Sequence, residues 1–366
     1  MGLLITKPPK VTTATIATRA GVSPATVSRV VNQPDIVKEE TYQKIISAME
    51  ELGCQIQHKA SMPALSLYKE EPSALKPDAE RTSPVSGQSP DRSQKNLIVV
   101  NLPSLANPFY DPILKGVQAS VSRHGYHLLI SEGHLNVNTI DSFIRLLLDN
   151  HVIGLITLNR IETPIFERLT KVTTVVACCE YNHEVDIPYV TIDDVSAAKN
   201  AVEHLISLGK RKIALVNGPI QYKYARGRME GYLLALKNAG IAPDNNYILH
   251  LPDIDFDLAI SAATALLSLD NPPDAFFAIS DVYAYAILRA CHLSGKRVPE
   301  DVAVVGFDDL DQSRITIPSL SSVSQPKTQL GFMAGEILVE TILSPGIPPK
   351  KIVLDTNLII RESSAK

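Results

Sequence analysis

The chain has 366 residues, 45% of them apolar and 20% charged, and a net charge of −4. That is enough apolar chain for two or three domains with buried cores. No run of about 18 apolar residues suggests a membrane span, and the opening MGLLITKPPKV places its basic residues after a short apolar piece, the reverse of signal-peptide order, so a cytoplasmic protein is expected.

TTATIATRA (12–20) is predicted to form a short helix with Ile16, Ala17 and Ala20 inward, and Gly21 makes the turn that follows. Ser23 is a suitable N-cap, and Pro24 sits at the first helical position, where a missing N–H costs nothing. In the second helix Val27, Val30 and Val31 fall at i, i+3 and i+4 and share one buried stripe. Ala25, Thr26, Ser28 and Arg29 are left on the outer side. KEETYQKIISAMEELG (38–53) reads as a third helix, with Tyr42, Ile45, Ile46, Met49 and Leu52 at helical spacing and Gly53 as its stop. Two short helices joined by a glycine turn, with a supporting helix, make a helix-turn-helix. Residues 1–34 carry Lys7, Lys10, Arg19 and Arg29 and no acidic residue. A basic tip on an acidic protein points to a polyanion at that end.

Residues 58–95 change character. Between 61 and 95 there are five prolines and seven serines, a composition that buries too little to offset ordering, so a flexible linker is expected. From 96 to 366, strand-like runs (NLIVVNLP, HLLISEG, VIGLITLN, TTVVACC, YVTIDD, KIALVNGP, YILHL, AFFAIS, VAVVGFDD) alternate with amphipathic segments. That alternation argues for doubly wound parallel sheets, in two lobes with a cleft between them.

Chemistry-bearing motifs are few. There is no GxSxG, HExxH, P-loop or GxGxxG, and the nine histidines do not cluster at ligand spacing, which argues against an enzyme and against a metal or cofactor. Cys54, Cys178, Cys179 and Cys291 lack CxxC spacing and are expected as buried reduced thiols, not metal ligands or a disulfide framework.

AGVSPATVSRVVN, VKEET and AMEELG resemble the DNA-binding head of the LacI/GalR transcription repressors. NPFYDPILKGV, LGKRKIALVNGP, GRMEGYLLAL, VPEDVAVVGFDD and SVSQP follow in the family's order. Together they cover residues 12–54 and 96–362. The resemblance implies an all-α head (1–57), the linker (58–95) and a two-lobed core of periplasmic-binding-protein type (96–366). Lobe one would be 96–194 plus 325–344, and lobe two 195–324 plus 345–366. It also implies a homodimer on palindromic operator half-sites of double-stranded DNA, controlled by a small molecule in the cleft. A repressor is the expected sense of regulation; an activator or partner-dependent regulator with the same head is the alternative.

At the DNA end, the family's base-reading positions fall on Pro24, Ala25 and Arg29. Arg29 has the donors for guanine O6 and N7; Thr12, Ser23, Thr26, Ser28, Asn32 and Thr41 are candidates for phosphate or edge contacts. The chain departs from the family just beyond the head. Where members continue Gly-Tyr-x-Pro-Asn-x-x-Ala-x-x-Leu into a hinge helix, this chain reads GCQIQHKASMP, with Pro63 at the minor-groove wedge. Proline breaks such a helix, so tethered heads tolerant of half-site spacing are expected instead.

At the effector end, the motifs map onto Asn107, Phe109, Tyr110, Arg228, Asp281, Asp308 and Gln325, with Tyr222 and Tyr224 as further cleft candidates. Glu180 replaces an arginine-bearing position and favours a donor-rich ligand, a sugar or a nucleoside, over an anion. Structural alternatives stand beside these roles: Phe109 as core, Asp308 as a cap, Arg228 as an ion-pair partner.

Overall fold

The computed structural model describes residues 13–23, 26–27, 41, 44–45, 47–48 and 96–365. The chain forms two compact units, residues 1–87 and 88–366, and each is described by itself.

In the first unit, helix α1 spans Thr13–Ala20. It ends as the sequence suggests: Gly21 takes φ +68°, and the Val22 amide reaches back to the Ala17 carbonyl at 3.0 Å, the long bond of a Schellman cap. The next helix starts on Ser23, whose hydroxyl accepts from the Thr26 amide at 3.1 Å. Ile16, Ala17, Val27, Ile45 and Ala48 are the buried apolar residues among those described in this unit, and Ala20 is half-buried.

The second unit holds two six-stranded sheets. The first is built from β1 (Leu97–Leu102), β2 (His127–Glu132), β3 (Val152–Thr157), β4 (Thr174–Cys178), β5 (Tyr189–Ile192) and β11 (Lys351–Leu354) in the order β11-β5-β4-β3-β1-β2, all parallel. The second comprises β6 (Ile213–Asn217), β7 (Ile248–His250), β8 (Ala275–Ala278), β9 (Ala303–Asp308), β10 (Ser321–Ser324) and β12 (Asn357–Ile359) in the order β12-β10-β9-β8-β6-β7. Only β12 runs antiparallel to its neighbour. Runs such as AVVGFD in β9 are buried at every position, as a sheet covered on both faces requires.

The helices between the strands are α2 (Tyr110–Arg123), α3 (Ile140–Asp149), α4 (Thr163–Thr170), α5 (Asp194–Ser207), α6 (Lys223–Asn238), α7 (Phe256–Leu267), α8 (Asp281–Leu293) and α9 (Lys327–Leu343). α9 lies against α2 in the first lobe, and α5 against α6 in the second. All nine anticipated strands form. The expected lobe boundary near the C-terminus needs correcting: Lys351–Leu354 pairs with β5 in the first sheet, so the last crossing falls between Leu354 and Asn357 and not at 344–345. KIVL reaches the β5 edge before the chain turns back, because that edge would otherwise stay unpaired.

Candidate functional site

The head supplies the first candidate surface. Thr12, Pro24, Ala25, Ser28, Arg29, Asn32, the 54–63 segment and the linker lie outside the described residues. Ser23 is exposed, and its hydroxyl lies 2.8 Å from the Thr26 hydroxyl while also capping the helix. One hydroxyl thus fixes the helix start and stays at the surface. Thr26 and Thr41 are half-buried.

The second candidate lies between the lobes. In a doubly wound sheet, ligands bind beyond the carboxyl ends of the strands, where the strand order reverses. Both sheets reverse this way, at β1/β3 and at β6/β8. A cavity of about 710 Å³ sits there, lined by segments that follow strands of both sheets: Asn107, Phe109 and Tyr110; Leu158 and Arg160; Cys179 and Glu180; Pro219, Tyr222, Tyr224 and Arg228; Ser280; Asp308 and Gln325. Nine of the ten expected cleft residues therefore line one cavity.

Arg228, on α6, is the cavity's most constrained cation. Its side chain is 7% exposed. Nε donates to Asp194 Oδ1 at 2.9 Å and Nη1 to the Ile279 carbonyl, and the guanidinium stacks 3.5 Å over the Phe307 ring. The ion-pair alternative and the cleft position both hold for this residue. Asp308 lies 3.9 Å from Nη1 and accepts from Gln325 Nε2 at 2.8 Å and the Ser280 hydroxyl at 3.2 Å. Its φ is +114°, followed by Asp309 at +49°. Backbone strain of this kind persists only where the surroundings enforce it; here Lys327 Nζ holds both carbonyls and Arg361 holds the Asp309 carboxylate. Tyr222 and Tyr224 stack 5.4 Å apart at 16°, and Phe109 meets Tyr110 edge-on. Phe109 is both largely buried and in the cavity wall.

Two expectations change. Asp281 does not line the cavity. Its carboxylate points into the second lobe and accepts from the Leu310 amide and the Ser313 and Ser322 hydroxyls at 2.6–2.8 Å; the preceding residue, Ser280, takes the cleft position. Glu180 does line the cavity, but both its oxygens are committed, to the amides of Lys223 and Tyr224 at 2.9 and 3.0 Å. A first-lobe carboxylate thereby caps the N-terminus of α6 in the second lobe, where the helix dipole favours negative charge.

Asp194 was not anticipated as part of the site. It receives Arg228 and also Lys223 Nζ at 2.6 Å. Its signal was present, because Asp194 follows β5 at the chain's first crossing between lobes, but an acidic helix start reads equally well as a dipole partner.

Burial sets the titration of these carboxyls. It pushes Asp281 up to about 7, aided by repulsion from Asp308. It also pushes up Asp308, against Arg228 and Lys327. For Asp194, burial alone would raise the carboxyl, but Arg228 and then Lys223 overcome it and hold it below its usual value. An unfolded Asp titrates near 3.9. The Asp281 contribution is therefore fully present below about pH 4 and is lost as pH rises through its folded value. Asp194 acts in the opposite sense, below about pH 4. Stability is expected to fall from about pH 4 to about pH 7. Urea denaturation at several pH values checks this, and Asp281→Asn should flatten the slope.

Among the described residues no group of three His, Cys, Asp or Glu could hold a metal ion, and no helix is long and apolar enough to cross a membrane. The cavity offers aromatic faces and paired donors and acceptors, the equipment of reversible binding.

The family model described as bacterial regulatory proteins, lacI family, matches residues 12–55, and that of a periplasmic binding protein-like domain matches 202–364. The chain is 30% identical over 353 residues, 95% of each protein, to the HTH-type transcriptional repressor CytR of Escherichia coli. It is 31% identical over 358 residues, 95% of this chain and 96% of the other, to the HTH-type transcriptional regulator CelR of Thermobifida fusca. Among solved structures, a transcriptional regulator CelR–cellobiose complex superposes with a TM-score of 0.69 at 29% identity, covering 97% of this chain and all of that one. A head that matches the lacI model, a core that matches the binding-protein model and a full-length relative lead to one conclusion: the chain belongs to the lacI family of bacterial regulatory proteins, which bind DNA and are not enzymes.

Proposed function

We propose that this protein is a transcriptional repressor whose hold on its operator is set by a sugar- or nucleoside-like effector in the cleft. The observation that carries this reading is the position of Arg228. It is buried between Asp194 and Asp308 and stacked on Phe307, yet it lies in the wall of a cavity of about 710 Å³. A cation fixed this firmly is a preorganised donor for a hydroxyl or ring nitrogen, and Tyr222, Tyr224 and Tyr110 supply faces for a sugar or base. The cellobiose carried by the CelR structure favours a neutral, hydroxyl-rich molecule. With its oxygens taken by α6, Glu180 serves as a tie between the lobes.

The protein acts as a homodimer. β2 is the outer strand of the first sheet, and Leu129 and Ile130 on it are 45% and 47% exposed, an apolar edge suited to a second copy. At the DNA end, Arg29 reads guanine while Thr12, Ser23, Thr26, Ser28, Asn32 and Thr41 set register and Pro24 and Ala25 exclude or touch bases by shape.

A thermal-shift screen of the full chain against sugars, nucleosides and nucleobases tests the effector reading. A ligand at 100 times its Kd stabilises by about 2.7 kcal/mol, and footprinting of the promoter beside the gene should then change with that ligand. A protein stabilised by none of these classes would overturn it. Arg29→Ala is expected to relax specificity at one guanine by about 1–3 kcal/mol, measured by binding to operators varied at single positions. An equal loss on every sequence would instead make Arg29 a phosphate contact.

A further inference from the structure

Cys178 and Cys179 play no part in the proposed binding chemistry. Cys178 ends β4 and is fully buried; Cys179 is half-buried and lines the cleft. Their sulfurs lie 3.8 Å apart. The contact comes from a strained turn: Cys179 takes φ +68°, and the Glu180 amide donates to the Cys178 carbonyl at 2.8 Å. This is a γ-turn of the rare left-handed kind. The turn is held from β5, where the Val190 carbonyl accepts from the Cys179 amide and the Thr191 hydroxyl donates to the Cys179 carbonyl.

We propose that this pair is a peroxide-sensitive dithiol that closes to a reversible vicinal disulfide at the cleft. Cys179, which faces the cavity, is attacked first. Its thiolate sulfur bonds to one peroxide oxygen, the O–O bond breaks, and hydroxide leaves, giving a sulfenic acid. The Cys178 sulfur then attacks the sulfenic sulfur, the S–O bond breaks, and water departs with the thiol proton. The balance is two thiols and one hydrogen peroxide to one disulfide and two waters. Cys178 is the resolving partner: it is fully buried and outside the cavity lining, which keeps it from peroxide, and its sulfur already lies 3.8 Å from that of Cys179. Cys291 is a buried free thiol, and burial pushes it up to about 12.

Reversibility follows from geometry. Consecutive Cα atoms are about 3.8 Å apart, below the roughly 4.4–6.8 Å usual for disulfides, so the bond is strained and easily reduced. Closing the sulfurs to about 2.05 Å turns Cys179 away from the cavity and swings the peptide that carries Glu180. The two Glu180 bonds to α6 are then lost, and with them a tie between the lobes. This consequence rests on the proposed cleft, but disulfide formation does not.

The full chain is treated with hydrogen peroxide, alkylated with iodoacetamide and cut with trypsin. Cleavage after Lys171 and Lys199 releases residues 172–199, which contain only these two cysteines. The expected product is this peptide two hydrogens lighter and unalkylated, with dithiothreitol restoring two alkylatable thiols. Cys179→Ser should abolish the product, and so should Cys178→Ala. A peptide that keeps both thiols, gains oxygen atoms, or links to a second chain overturns the proposal. Oxidation should also lower the thermal midpoint reversibly in the wild type and not in Cys179→Ser. A disulfide that forms without that shift removes the link to Glu180. The mass readout uses neither DNA nor effector, so it stands even if the repressor reading fails.

Discussion

Arg228→Ala is expected to abolish effector binding and to destabilise the core by about 3–5 kcal/mol, the usual cost of removing one partner of a buried ion pair. The guanidinium does three things at once. It neutralises Asp194, whose side chain is 4% exposed; it donates to the Ile279 carbonyl; and it covers the Phe307 ring. Without it, Asp194 retains Lys223, while Asp308 loses its nearest cation and is pushed further toward the protonated form. The loss corresponds to roughly 6–20 °C in thermal midpoint. Arg228→Lys separates charge from geometry. A lysine restores the charge but not the planar fork or the stack, so it should recover part of the stability and little of the ligand response. Urea denaturation gives the first quantity and ligand-induced thermal shift the second. A stable Arg228→Ala protein that still responds to ligand would show that another residue anchors the effector.

Much of this arrangement was legible in the residues. The nine strands that formed as expected are apolar runs such as VIGLIT and IALVN, which have no other stable place than a covered sheet. The helix starts at Ser23 and the stop at Gly21 are local chemistry, and local chemistry does not depend on the fold. What escaped was long-range. β10 is SSVS, a run whose serines look like loop. They are buried because Ser321 and Ser322 spend their hydroxyls on the Arg361 carbonyl and the Asp281 carboxylate. The same bond explains Asp281: a carboxylate beside a cleft motif reads as a ligand contact until the serine strand that engages it is placed. β11 was assigned to the wrong lobe because KIVL carries no mark of which sheet edge it meets. For Glu180 the resemblance implied a side chain aimed at a ligand; only the structure brings the α6 amides to it.

Gly331→Ala is expected to disrupt the first lobe, by more than the roughly 1–3 kcal/mol typical of overpacking, because no side chain can yield. A Cβ built there would lie 1.9 Å from the Ile113 carbonyl oxygen of α2, and one at Gly116 would lie 2.1 Å from the Thr328 carbonyl oxygen of α9. Both obstacles are backbone, so the two helices must part along their contact. Neither glycine has a positive φ; they are needed for space alone. Gly335→Ala should cost less than Gly331→Ala but more than a hydroxyl rotation: its Cβ would lie 2.5 Å from the Ser120 hydroxyl, which can turn at the expense of its bond to Glu336, and 2.7 Å from the Ser120 Cβ, which moves only with α2. Gly125→Ala is the control for conformation without crowding. That residue has φ +79° and nothing within 4 Å, so only the left-handed penalty of about 1–2 kcal/mol applies. Urea denaturation of the three variants should rank Gly331→Ala as the worst, and a loss no larger than that of Gly125→Ala would refute the close-contact account. The effect reaches the cleft because α9 begins with Lys327, two residues after Gln325; Gln325 holds the Asp308 carboxylate and Lys327 its carbonyl. Helices forced apart at Gly331 would loosen that carboxylate, so any Gly331→Ala protein that folds should also respond more weakly to effector.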